Sequence, residues 1–458
     1  MFKKYHFSEN AKIVTSRIPG PKSEELLKKQ EELESNNRSY PRGIPIAFDK
    51  ARGASVTDVD GNMYLDFFSG CGVLNFGHNN LEILEELKNY PDTILQSLDF
   101  PTKPKIDFME KLLSILPKEM LGKYKINFGG PTGSDAVESA IKLARINKGR
   151  HSIISFQGSY HGMTMGALSV TSRLSSREDV PPLVPGVHFM PYCNPYRCPM
   201  GCNKKGKCEF ECVNFIQNAL ENPQSGIDKP SAIIIEPIQG EGGTYIPKQG
   251  WLEKVVDIAR KNDILVIFDE IQAGFFRTGK LFSFEYTKAI PDIITMSKGI
   301  GGIGFPLSLI LYKKELDTWK PGTHIGTFRG NQLGMMAGLS AMKLADKLDI
   351  KSHIDLIGKL INKRLQNIEK KFNLIGEIRV RGMMFGIEYV KDKETKEPNP
   401  ELARKIRQLC YENGLLIEIG GYYNNVVRFL PPLVITEKIA NNGLDIFEKA
   451  NFLVQGMK

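Results

Sequence analysis

Between about residues 125 and 345, short apolar runs alternate with longer stretches of helical period. That pattern leaves room for little besides an α/β domain built on a mostly parallel sheet. Runs at 126–128, 152–156, 232–236, 264–268, 293–296 and 307–312 are predicted strands, and 134–147 and 251–261, bounded by Gly, Asn or Pro, are predicted helices. Open α/β sheets take their ligands beyond the carboxyl ends of the strands, so residues just after predicted strands become the functional candidates.

The chain ends read differently. A charged helical stretch at 22–35 precedes strand-like pieces around 46–48, 55–59 and 63–65, and helices at 352–371 and 400–413 mix with strands at 384–390 and 426–430. We expect residues 1–70 and 346–458 to form one small α+β domain. Residues 71–345 are the large domain, its sheet sandwiched by helices, with a cysteine-rich insertion at 192–213. A chain of 458 residues, 41% hydrophobic and 25% charged, is long enough for both cores. No internal repeat or low-complexity tract is apparent.

The 61 basic residues exceed the 52 acidic ones by 9, spread along the chain, which suits anionic small molecules as well as nucleic acid and decides neither. There is no apolar run near the ~18 residues of a membrane span and no signal-peptide core behind Met1. Seven cysteines in so long a chain do not make a secreted disulfide framework. A cytoplasmic protein with reduced thiols and no nucleic-acid or membrane partner is expected.

Two segments carry chemistry. Ile264-Leu-Val-Ile-Phe268 runs into Asp269-Glu270-Ile271-Gln272, so carboxylates at a strand's carboxyl end face a crevice that could hold a cationic heterocycle. Pro291-Asp-Ile-Ile-Thr-Met-Ser-Lys298 places a lysine after another strand and directly before Gly299, Gly301 and Gly302, where the backbone can stay close to a flat ligand. Taken singly, a strand ending in Asp-Glu and a Lys-Gly pair are common surface features.

With Gly133-Ser134-Asp135-Ala136-Val137-Glu138, Tyr160-His161-Gly162, Glu236-Pro237-Ile-Gln-Gly240-Glu241 and Ser297-Lys298-Gly299, the chain resembles the class III aminotransferases of pyridoxal-phosphate (PLP) fold type I, in order over roughly residues 40 to 450. The resemblance implies pyridoxal 5'-phosphate as cofactor, Lys298 as its Schiff-base lysine and proton shuttle, and Asp269 as partner of the ring nitrogen. It also implies that Gln272 lies near the phenolic oxygen, Tyr160 stacks on one ring face with His161 beside it, and Gly133 and Ser134 cradle the phosphate at a helix start. Thr327, in His324-Ile-Gly-Thr327-Phe-Arg-Gly, matches a threonine that completes the phosphate site from the other subunit, which implies a homodimer with shared active sites.

The small-molecule partners implied are an amino donor and a keto-acid acceptor. Glu241 and Arg428 match a gate pair of ω-aminotransferases, in which the arginine clamps the α-carboxylate of 2-oxoglutarate or glutamate and the glutamate covers it when an ω-amine enters. Ornithine- and 4-aminobutyrate-type members carry an arginine where this chain has Met163. The segments 161–168 and 324–331 look most like diaminobutyrate–2-oxoglutarate aminotransferases, with Arg329 a candidate for contacting substrate or partner subunit. An amino-acid racemase or epimerase on the same scaffold is the alternative, and a non-enzymatic binding protein the remote third.

Cys193, Cys198, Cys202, Cys208 and Cys212 crowd one Pro-, Asn-, Lys- and Gly-rich stretch. They supply enough thiols for a zinc or iron–sulfur site, but the spacing matches no usual finger signature. The expectation is therefore no metal, with free or occasionally oxidised thiols.

Overall fold

The apolar runs form one seven-stranded sheet in the computed structural model, which describes residues 2–90, 92–202 and 208–456. Its strands are β1 (Tyr124–Phe128), β2 (Ile153–Phe156), β3 (Val187–Met190), β4 (Ala232–Ile235), β5 (Leu265–Asp269), β6 (Ile293–Met296) and β7 (Leu309–Lys313), in the order β1-β7-β6-β5-β4-β2-β3. All run parallel except β7, which pairs antiparallel with both β1 and β6. The parallel core is sheltered on both faces, as continuous apolar strands require.

Alternation along the strands separates two faces. Ile153, Ala232, Ile234, Leu265, Ile267, Ile293 and Ile310 pack against Ala136, Val137, Ala140 and Ala144 of the helix Gly133–Lys148. On the opposite face Phe156 meets Trp251 of the helix Trp251–Lys261, ring centroids 5.5 Å apart. The helix Gln332–Lys347 packs on the helix Lys103–Ser114 and on the turn Lys298–Gly301.

Residues 85–347 make one compact unit, and residues 1–84 with 348–458 make another. In the latter, strands Phe48–Arg52, Ser55–Asp58 and Met63–Asp66 form an antiparallel meander, and Leu415–Leu416 joins Met63–Asp66 in parallel, sewing both chain ends into one sheet. A second antiparallel sheet holds Ile375–Arg381, Met384–Tyr389, Val426–Phe429 and Glu418–Gly420. The helix Pro400–Glu412 starts with proline at its first position and Asn399 Oδ1 accepting from Leu402 N–H at 3.1 Å. No helix among the described residues is long and apolar enough to cross a membrane.

Candidate active site

Asp269 and Lys298 leave neighbouring parallel strands at the same end. β5 finishes at Asp269, whose partner in the register of β6 is Thr295, and Lys298 follows just beyond the end of β6. The lysine backbone is left-handed, at φ 51°, a conformation that costs an L-residue on the order of 1 kcal/mol. The helix Gln332–Lys347 bears directly on this turn. A Cβ on Gly338 would lie 2.1 Å from the Ile300 carbonyl oxygen, so only glycine allows the two backbones to meet.

Asp269 is buried and held at both oxygens. Oδ1 accepts from Thr295 Oγ1 at 3.0 Å and Ile271 N–H at 3.1 Å, and Oδ2 lies 2.7 Å from His161 Nδ1. The other ring nitrogen, His161 Nε2, is buried with no hydrogen-bond partner among the described residues. Glu236 lies in the same region and accepts from Tyr160 N–H at 2.9 Å and Gly240 N–H at 2.8 Å. Burial pushes its carboxyl up to about 7; His161 pulls it down and the charge of Asp269 adds to the rise.

The loop after β2 brings the aromatic residue to this place. Glu138, on the helix Gly133–Lys148, accepts from Thr164 Oγ1 at 2.5 Å and Gly166 N–H at 2.9 Å, and Ser134 Oγ accepts from Met163 N–H at 3.1 Å. Gly162, at φ 133°, passes so close that a Cβ would sit 2.1 Å from Ser134 Oγ. Thr132 is tied back by its N–H and hydroxyl to Asp135 Oδ2, both at 2.8 Å. The N–H groups of Gly133 and Ser134 belong to a first helical turn and so have no intrahelical acceptor, while the helix dipole favours an anion in front of them.

One cavity of about 210 Å³ gathers Gly133, Ser134, Tyr160, His161, Asp269 and Lys298, together with Glu241 and Gln272. Gln272 Nε2 donates to Glu241 Oε1 at 3.2 Å. The arrangement offers an anion seat at a helix terminus, a buried carboxylate that suits a cation, and an amine that can reach a carbonyl carbon.

The remaining candidates lie elsewhere. Thr327 does not line the cavity; it is exposed, and Gln96 Nε2 donates to its carbonyl at 2.7 Å. Arg329 lies 3.7 Å from Asp99. Arg428 is buried in the other unit, on the strand Val426–Phe429, opposite Gly386 and Glu418 in register. Glu270 corrects the expectation that both carboxylates face the crevice. Side chains alternate at the strand end, and Glu270 instead accepts from Ser283 N–H and Oγ and Phe284 N–H at 2.9, 2.8 and 3.0 Å, its carboxyl pushed up to about 8 by burial.

Glu236, Thr295 and Ile271 were not assigned roles from the sequence. A polar Thr within the apolar run of β6 and the glutamate of the Glu236-Pro237 segment are the signals that point to the first two.

A family model described as aminotransferase class-III matches residues 37–451. The chain is 42% identical over 437 residues to a diaminobutyrate–2-oxoglutarate aminotransferase of Haemophilus influenzae, covering 93% of this chain and 95% of that one. It is 43% identical to a diaminobutyrate–2-oxoglutarate transaminase of Virgibacillus pantothenticus, covering 91% and 97%. Among solved structures, a Bacillus anthracis aminotransferase superposes with TM-score 0.85 at 29% identity, covering 96% of this chain and all (100%) of that one. The ornithine aminotransferase of Toxoplasma gondii superposes with TM-score 0.80 at 26% identity, covering 95% and 96%.

Proposed function

We propose that this chain, which belongs to the class-III aminotransferases, moves amino groups between an ω-amino compound of the 2,4-diaminobutyrate type and 2-oxoglutarate or glutamate. The observation that carries this reading is the likeness, over nearly the full chain, to relatives named for that reaction. Those relatives are transaminases, and nothing in them supports a racemase. With glutamate as donor and a panel of diamines and ω-amino acids as products, 2,4-diaminobutyrate should form fastest. A faster product outside that class would overturn the substrate assignment.

The residues present fit pyridoxal 5'-phosphate, the cofactor of the family. A buried region with two carboxylates and one imidazole, Asp269, Glu236 and His161, favours a cation, and the helix start at Gly133 and Ser134 favours a phosphate. When bound, the cofactor supplies an aldehyde that exchanges amino groups and a ring that accepts an electron pair from the substrate carbon. Asp269 would hold a proton on the ring nitrogen, and His161, Thr295 and Ile271 fix that carboxylate in place. Lys298 would hold the cofactor through its amine and, when released, would serve as the base that moves a proton between the two carbons. Tyr160 would cover a ring face, and Gln272 would donate toward the phenolic oxygen.

Arg428 is the residue we assign to the acceptor's α-carboxylate, with Glu241 as its alternate partner. Arg428→Ala should raise the KM for 2-oxoglutarate about 10- to 100-fold, the loss of a charge-assisted pair worth ~1.5–3 kcal/mol. The rate of amine uptake from diaminobutyrate should change far less. Equal losses in both half-reactions, measured by stopped-flow absorbance, would remove the assignment.

A homodimer belongs to the same reading, as does a cytoplasmic location. Ile325 and Phe328, flanking the exposed Thr327, are 70% and 74% exposed, and Ile94, Leu95 and Phe100 are also exposed apolar residues close in sequence to Gln96, which contacts Thr327. An apolar surface of this kind marks a docking face. If Thr327 serves the neighbouring copy, exchanging subunits between Lys298→Ala and Thr327→Ala proteins should create hybrid sites with the parental cofactor affinity. A mixture that gains no such sites, or a monomer in sedimentation, would count against shared sites.

A further inference from the structure

Five of the chain's seven cysteines fall between residues 193 and 212, four in the segment that joins β3 to the helix Glu211–Glu221 and the fifth, Cys212, in that helix's first turn. The described part of this segment is largely irregular, with little ladder or core of its own, the kind of segment a metal cross-link holds best. The sulfurs of Cys202 and Cys208 and a carboxylate oxygen of Glu211 all lie within 4.8 Å of one another. Cys202 Sγ approaches Glu211 Oε2 to 2.7 Å, and Cys198 Sγ hydrogen-bonds to Cys202. Lys248 Nζ closes the segment from below by donating to the Cys208 carbonyl at 2.8 Å. Cys193 and Cys212 form a separate hydrogen-bonded pair, with Lys248 N–H 3.4 Å from Cys193 Sγ.

Tetrahedral zinc with Zn–S bonds of ~2.3 Å needs neighbouring sulfurs about 3.8 Å apart, and a carboxylate oxygen is an accepted fourth ligand. The donor atoms of Cys202, Cys208 and Glu211 need to close by about 1 Å, which side-chain rotation supplies, and Cys198, hydrogen-bonded to Cys202, is at hand as the remaining donor. We propose that Cys198, Cys202, Cys208 and Glu211 bind one soft divalent cation of the zinc type, a structural site outside the aminotransferase cavity. The sequence spacing conceals it, because the fourth donor is a glutamate at the first position of a helix and not a cysteine or histidine. On binding, the three thiols lose their protons to solvent and no oxidant is consumed.

The test uses the full-length holoenzyme, reduced, stripped of metal by a chelator and titrated with Co²⁺, then Zn²⁺. Expected are one equivalent of tetrahedral Co²⁺ absorption, at wavelengths longer than the cofactor's bands, its bleaching by one equivalent of Zn²⁺, and three fewer thiols reactive toward a disulfide reagent in the Zn²⁺-loaded protein. The double variant Cys202→Ser with Cys208→Ser should bind Co²⁺ more than about 100-fold more weakly while keeping transaminase turnover. No tetrahedral band in the parent protein, protection of fewer than three thiols, or equal binding in the double variant overturns the proposal. Should the double variant fail to fold, the parent protein's stoichiometry and thiol protection decide alone. Because turnover is measured separately, failure of this site leaves the proposed transamination untouched, and failure of that activity leaves the metal result standing.

Discussion

Lys298→Ala should lower turnover by a factor on the order of 10⁴ or more and remove the visible absorbance band of the lysine-bound cofactor. Two functions disappear at once in this variant. The amine that would bond the aldehyde is gone, and so is the base that would carry the proton between substrate carbons. Cofactor should still bind, because the helix start at Gly133 and Ser134 and the buried Asp269 are unchanged. Addition of a small primary amine should return part of the rate, since a diffusing base can enter the cavity the missing side chain leaves. Full activity without rescue would show that another group carries the chemistry.

Asp269→Ala should cost about 10³ in turnover, ~4 kcal/mol of transition-state stabilisation, with a smaller loss of cofactor affinity. The variant removes the proposed partner of the ring proton and leaves His161 Nδ1 and Thr295 Oγ1 without the carboxylate they contact. Asp269→Asn separates charge from shape: the amide keeps the volume and some hydrogen bonds but cannot hold a cation, so it should fall close to the alanine variant. A cofactor analogue with a permanently positive ring nitrogen should narrow the gap between Asp269→Asn and the parent protein. An Asn variant of parental rate would place the role of Asp269 in packing alone.

The central sheet was legible because buried parallel strands are apolar throughout, and Ile233-Ile-Ile235 or Val266-Ile-Phe268 allow few other readings. β3 was not legible. Its residues Val187-His188-Phe189 are only half-buried at the sheet's edge, and a histidine in a four-residue run gives neither alternation nor a continuous apolar stretch. The helix Gln332–Lys347 was hidden for the opposite reason, being buried on nearly every side, so no polar face marks its period.

In the cavity, residues adjacent to strand ends and glycines could be named from the sequence, because backbone position alone puts them there. Glu270 could not be separated from Asp269, since one step along a strand reverses the direction of a side chain and the sequence does not say which way is in. Thr295 and Glu236 act on other side chains through hydrogen bonds, and such partnerships are a property of three-dimensional proximity that no linear spacing encodes.

The meeting of Gly338 with Ile300 makes a methyl group at position 338 a disturbance of the backbone turn that carries Lys298. The helix acts as an anvil under the lysine's turn, flat only where a hydrogen stands in for a side chain. Any bump raised there would be felt at the tip of Lys298, although nothing at residue 338 ever meets a substrate.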